Sequence, residues 1–204
     1  MPTSSPTPTI DIVAGPNGSG KSTFAESYIV RARKSSTYLN PDLIASGFSP
    51  IGVEQASFQA GRILIQEVKD RIVRKESFAF ESTLSGKTWL SILKEAKETG
   101  YSIRIYFLYL SNIQKNIDRI KMRVKQGGHN IPTDTIKRRH PRCFENFWNL
   151  YRPLCNEWSI LDNSSREPKE LYNLESFSKL SLRTQSLFMG QFLKGRVKPG
   201  KKKK

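Results

Sequence analysis

Residues 15–22 read Gly15-Pro16-Asn17-Gly18-Ser19-Gly20-Lys21-Ser22, with Thr23 behind them and the apolar run Ile10, Ile12, Val13, Ala14 in front. The spacing is GxxxxGK[ST], set between an expected strand and an expected helix. Glycines permit backbone angles that turn several N–H groups inward around one anion, and the following helix aims the positive end of its dipole at the same point. A nucleoside triphosphate is the ligand this predicts, with ATP and Mg²⁺ as the expected pair. Gly15, Pro16, Asn17, Gly18, Ser19, Gly20, Lys21, Ser22 and Thr23 would surround the phosphates. Lys21 would reach the β- and γ-phosphates and Ser22 would ligate the metal.

Outward from this loop, the chain alternates strand and helix signals. Phe24, Ala25, Tyr28, Ile29 and Ala32 recur at helical spacing from Ser22 to Arg33. A short strand over Thr37–Leu39 ends at Asn40-Pro41-Asp42, where Pro41 halts the strand and leaves the Asp42 carboxylate near its carboxyl end. Val53 to Lys75 reads as a long helix with a polar face, and Phe78-Ala79-Phe80 as a third strand delivering Glu81 and then Ser82, Thr83 and Ser85 to the same rim. A helix from Trp89 to Thr99, a buried-type strand from Ile103 to Leu110 and a helix from Asn112 to Gln126 follow, the last stopped by Gly127-Gly128. Thr133 can cap another helix, striped by Ile136, Cys143, Phe144, Phe147 and Tyr151, and Trp158 to Leu161 gives a fifth strand ending at Asp162-Asn163-Ser164. This order predicts an α/β fold with a mostly parallel sheet of about five strands between helical layers, and a basic helical lid between strands four and five. Ligands of such sheets bind at the carboxyl ends of the strands.

Composition narrows the classes. With 204 residues, 37% hydrophobic and 10% aromatic, the chain can bury one substantial core. No apolar stretch reaches the roughly 20 residues a bilayer span needs, and the first residues lack the pattern of a signal peptide, so a cytoplasmic protein with no membrane partner is expected. Cys143 and Cys155 read as reduced, buried thiols. Net charge is +16, enough to attract nucleic acid, anionic surfaces or phosphorylated substrates over a screened distance of roughly 8 Å. The charge concentrates from Lys115 to Arg142 and in the acid-free stretch from Arg183 to Lys204. That stretch reads as ending in a disordered basic arm, able to bind polyanions weakly or simply to aid solubility. The expected division is a disordered segment over 1–9, the principal domain over 10–164, and a helical segment with the basic tail over 165–204.

Taken in order, the stretches AGPNGSGKST (14–23), NPD (40–42), FAFESTLSG (78–86), Gly100-Tyr101, RVKQGGHNIP (123–132), IKRRHPR (136–142) and DNS (162–164) resemble the zeta-toxin-like P-loop kinases, in the branch described as predicted ABC-type ATPases. The resemblance covers residues 10–164. It implies a P-loop NTPase fold of kinase-like strand order 2-3-1-4-5, and a kinase that moves the γ-phosphate of ATP to a hydroxyl-bearing small molecule, a nucleotide-sugar in the zeta toxins themselves. An antitoxin protein is the partner it suggests. It places Asp162 and Asn163 near the nucleotide base.

Phosphoryl transfer needs an in-line hydroxyl, neutralised oxygens and a dry site. Asp42 is the candidate general base, with capping of the next helix as its structural alternative. Glu81 would bind substrate hydroxyls or a metal-bound water, with neighbouring amides as the alternative partner, and Thr83 with Ser85 would line the acceptor pocket. Arg119 and Arg123 share a helix face, and Arg138 and Arg139 open the next helix. Of these, Arg123 and Arg139 are the favoured catalytic arginines, since planar guanidinium groups suit a developing phosphoryl charge. His129 and His140 read as hinge or helix-face packing. Two other classes remain open: a nucleic-acid-directed enzyme such as a polynucleotide kinase, and an ATPase switch.

Overall fold

A computed structural model of the protein describes residues 6–30, 37–47, 53–128 and 130–194. The core of the fold is a sheet of β1 (Thr9–Ala14), β2 (Thr37–Leu39), β3 (Phe78–Ser82), β4 (Ser102–Tyr109), β5 (Glu157–Asp162) and β6 (Lys169–Asn173). Their order is β2-β3-β1-β4-β5-β6, with the first five parallel and β6 antiparallel to β5. This is the expected kinase-like order with one more strand than the sequence reading allowed.

The helices are α1 (Lys21–Phe24, continued by a π-helical turn over Ala25–Val30), α2 (Pro41–Ser46), α3 (Val53–Val73), α4 (Trp89–Glu98), α5 (Ile113–Lys125), α6 (Thr133–Asn146), α7 (Leu174–Ser178) and α8 (Leu182–Leu193). Alternation along β1 sorts the layers, because successive side chains of a strand point to opposite faces. Ile10, Ile12 and Ala14 face the large core, where Leu64, Val68 and Ile72 of α3, Ile92 and Leu93 of α4, and Phe144 of α6 meet the sheet. Val13 faces the smaller cluster with Phe24, Ala79, Leu108 and Leu161. Asp11 lies fully buried on that second face, ion-paired with its register partner Arg104, whose Nε stands 2.8 Å from Oδ1 and whose Nη2 donates to Oδ2 at 3.3 Å. Burial pushes the Asp11 carboxyl up to about 6, against the opposing pull of Arg104.

Three expectations change. The helix after the phosphate loop keeps α-helical geometry for only one turn before its π-helical stretch, and its expected end at Arg33 lies outside the described residues. Pro41 does more than stop β2: it is the first residue of α2, where its missing N–H costs nothing. The segment after residue 164 shares the sheet and core of the segment before it. β6 extends the sheet, and Phe188 and Phe192, one turn apart on α8, insert among Phe107, Phe144, Phe147 and Trp148, with Phe107 and Phe192 ring centroids 5.4 Å apart. The acid-free stretch from Arg183 thus begins inside a packed amphipathic helix that runs as far as Leu193. Its basic end over 195–204 lies outside the described residues.

Candidate active site

The glycine-rich turn leaves β1 and enters α1 with Gly15, Gly18 and Gly20 at φ of 137°, 77° and 88°. Side chains are excluded there for a second reason. A Cβ at Gly15 would lie 2.3 Å from the Leu108 carbonyl oxygen, one at Gly18 would lie 2.4 Å from that of Asn116, and one at Gly20 would lie 2.4 Å from Asn163 Nδ2. The backbone of the loop is thus packed as closely as the sequence allows.

Two neighbouring elements hold it. Asn116, fully buried on α5, donates from Nδ2 to the Asn17 carbonyl at 2.8 Å. Asn163, just past β5, donates from Nδ2 to the Ser19 carbonyl at 2.7 Å, and its own carbonyl accepts from Arg119 at 2.8 Å. Arg119, expected as a lid arginine, is therefore tied to this framework. Neither asparagine was read as a loop anchor from sequence. For Asn116 a signal existed: it interrupts the apolar stripe Ile113, Ile117, Ile120, and a polar group at a buried helical position must find a partner.

The loop residues divide by position. Asn17, Gly18, Gly20, Lys21, Ser22 and Thr23 line an open cleft of about 1440 Å³. Gly15, Pro16 and Ser19 are not on its wall. The Gly15 and Pro16 carbonyls accept from Lys21 Nζ at 3.1 and 3.0 Å, and Ser19 is fully buried. Burial lowers the Lys21 pKa below the usual lysine range, while Glu81 and Asp42 favour its charged form.

Glu81 reaches the loop because β3 pairs directly with β1, Val13 opposite Glu81. Ser22 Oγ donates to both of its carboxylate oxygens, at 3.0 and 3.1 Å. Its partner is thus a hydroxyl of the loop, not the amides weighed as its structural alternative. Burial raises the Glu81 pKa, and Lys21 and Ser22 oppose the shift. A serine hydroxyl with one carboxylate is a donor set of hard oxygens. Among the described residues no cluster of three or more His, Cys, Asp or Glu could hold a metal. Such a pair suits Mg²⁺, which takes most of its ligands from water and substrate phosphates.

Asp42 lines the same cleft from the first turn of α2. The capping alternative fails, since Asn40 caps that helix by accepting from the Asp42 and Leu43 N–H groups at 2.8 and 3.3 Å. Its carboxylate instead accepts from Arg123 Nη1 at 3.1 Å, joining α2 to the end of α5. Arg123 was expected over the phosphates. Thr83 and Ser85 share a hydrogen bond of 2.9 Å on a loop fixed by Trp89, Asn146 and Tyr151, within which Leu84 is held at φ 54°. Both line the cleft, as do Arg138 and Arg139 of α6. His140 is buried against Phe144, with ring centroids 4.9 Å apart, in keeping with helix-face packing. His129 lies outside the described residues. Asp162 accepts from the Ser164 N–H at 2.9 Å and closes the turn after β5. Cys143 and Cys155 are free thiols, the first buried and the second half-buried.

A phosphate loop, a strand-end acid bonded to its serine, and this strand order define a P-loop protein of the kinase-like class. The family model of the zeta toxins matches residues 1–164, and the chain belongs to the zeta toxin family. An uncharacterized protein of Haemophilus influenzae is 36% identical over 126 residues, which cover 62% of this chain and 88% of that protein. Among solved structures, one from the PezAT chromosomal toxin–antitoxin system of Streptococcus pneumoniae superposes with a TM-score of 0.63 at 14% identity, covering 94% of this chain and 88% of that one. The AvrRxo1-ORF1:-ORF2 complex with ATP gives 0.68 at 14%, covering 96% and 66%. A gluconokinase from Sinorhizobium meliloti gives 0.51 at 14%, covering 93% and 91%. These likenesses establish the shared fold.

Proposed function

We propose that the protein is a kinase that transfers the γ-phosphate of ATP to a hydroxyl of an acceptor held against Asp42. The observation that carries this reading is the meeting of Lys21, the Ser22–Glu81 pair and Asp42 in one cleft. The loop N–H groups and the Lys21 ammonium bind and orient the phosphates. Ser22 and Glu81 would hold Mg²⁺, which when bound screens charge on the phosphate oxygens. Asp42 orients the acceptor hydroxyl and takes its proton, while Thr83 and Ser85 bound the acceptor pocket. Arg139 faces the phosphoryl group from α6, and Arg123 leaves or shares Asp42 to do the same.

The chemistry belongs to residues 10–164, with the segment 165–193 buttressing the sheet. Family membership supports a hydroxyl-bearing small molecule such as a nucleotide-sugar as acceptor, and the toxin–antitoxin neighbour supports an antitoxin as partner. No helix among the described residues is long and apolar enough to cross a membrane, which accords with a cytoplasmic site of action. The test is calorimetry with Mg-ATP, followed by incubation with γ-labelled ATP and a metabolite extract. Magnesium-dependent binding and label on an organic acceptor are expected. Label released only as inorganic phosphate with every extract would favour an ATPase switch and overturn the reading.

A further inference from the structure

The cleft carries more positive charge than one triphosphate uses. Arg62 of α3, Arg138 and Arg139 of α6 and Arg166 after β5 all line it, and none of the four has an ion-pair partner among the described residues. Between residues 113 and 146, the span of α5 and α6, nine lysines and arginines face three acids. Lys121, Lys125, Lys137 and Arg142 are exposed there.

Beside these charges stands an aromatic ring. Phe58 is 69% exposed on α3, lines the cleft, and lies one helical turn from Arg62, so ring and guanidinium share a face. Gly61 lies between them in sequence on the same wall, and a Cβ there would meet nothing within 4 Å. α3 packs on α2, which carries Asp42, so this wall is the acceptor's. An exposed phenylalanine gains nothing from a small polar acceptor. It suits the π-face of a base, and the arginines spread over three elements suit a chain of phosphates more than a single one.

From these observations we infer that the acceptor is the end of a single-stranded nucleic acid, with a base stacked on Phe58 and backbone phosphates on Arg62, Arg138 and Arg166, while Arg139 stays with the transferring phosphoryl group. The inference rests on the kinase reading above and sets a polymer in place of the small-molecule acceptor that family membership supports. A terminal hydroxyl oxygen forms a bond to the γ-phosphorus of ATP as the bond from that phosphorus to the β,γ-bridging oxygen breaks. ADP leaves with that electron pair, and the hydroxyl proton passes to the Asp42 carboxylate.

The full chain is titrated with a fluorescent single strand of about twelve thymidines, and an unlabelled strand with free terminal hydroxyls is then offered with γ-labelled ATP. Three phosphate contacts at about 0.7 each predict a slope of log affinity on log salt near −2, so that affinity falls about twentyfold between 50 and 200 mM salt. Phe58→Ala should weaken strand binding about tenfold with Phe58→Trp restoring it, and Arg62→Ala should reduce the slope by about 0.7. Label should appear on the strand and not on mononucleotides or nucleotide-sugars. Mg-ATP binding is measured in parallel. If ATP binds but the strand neither binds nor gains label, or a nucleotide-sugar gains it instead, the nucleic-acid acceptor is excluded and the kinase reading stands. Should ATP itself fail to bind, the kinase reading falls first.

Discussion

On the phosphate side of the cleft, the loop backbone is fastened by Asn116 and Asn163 to elements it packs against, and any Cβ at Gly15, Gly18 or Gly20 meets an atom within 2.4 Å. On the acceptor side, Asp42 is held by one ion pair whose side chains are 48% and 38% exposed. Short hydrogen bonds to a buried backbone hold a geometry at every moment, whereas a solvent-screened pair contributes about 1 kcal/mol or less and exchanges readily. The nucleotide end is built before the ligand arrives. The end proposed for the acceptor is held by long, half-exposed side chains, which leaves its geometry for a ligand to arrange.

The largest effect that would test this contrast is at Lys21. Removing its ammonium with Lys21→Ala should lower transfer about a thousandfold, since in the proposed reaction this charge acts directly on the transition state. Single-turnover kinetics measures it, and a loss under tenfold would mean that the loop is not where phosphate is activated. Next comes Asp42→Asn, which keeps the shape and removes the proton acceptor. A fall in kcat of about a hundredfold is expected, with Mg-ATP affinity unchanged. Equal loss of nucleotide affinity would join the two walls into one unit and erase the distinction.

The same contrast decided what could be read from sequence. Gly15, Gly18 and Gly20 are dictated by backbone angles, so the phosphate loop declares itself in eight consecutive residues. Asp42 and Glu81 were legible because strand ends bring their carboxylates to one rim whatever the loops do. The anchors were hidden: Asn163 lies 144 positions from the carbonyl it holds, and Asn116 lies 99 positions from its own. β6 was hidden too, being an antiparallel edge strand with its first residues exposed, which leaves no apolar alternation to detect. The C-terminal charge drew attention from the spacing of Phe188 and Phe192, which was the available sign that α8 is packed. Cutting the chain at residue 183 would thus strip aromatic side chains from the core and not merely trim an arm.

A third prediction concerns α6 alone. His140, on the helix that carries Arg138 and Arg139, is 8% exposed, and burial lowers its pKa from 6.5 to about 4. The folded state then binds fewer protons than the unfolded one. Its contribution is complete above pH 6.5 and is lost as pH falls towards 4, amounting to about 2 kcal/mol by pH 5. His140→Leu should remove that part of the acid sensitivity in urea unfolding at pH 7 and pH 5. The difference between the two proteins isolates His140 from Asp11, whose carboxyl is shifted the opposite way, towards 6. Identical acid sensitivity in both proteins would show that α6 is not the acid-labile wall.

The smallest expected effect falls on the better-built wall. Asn163→Ala removes one hydrogen bond to the Ser19 carbonyl and leaves Asn116 to hold the other half of the loop. One such bond is worth about 1 kcal/mol net, so Mg-ATP affinity should fall about fivefold while the response to acceptor concentration stays the same. The double variant with Asn116→Ala should lose more than the sum of the two, because either anchor alone still limits the loop and their joint removal frees it. Strict additivity in calorimetry would mean that the glycine packing alone fixes the cradle, and that the two asparagines hold the surrounding helix and turn rather than the phosphate site.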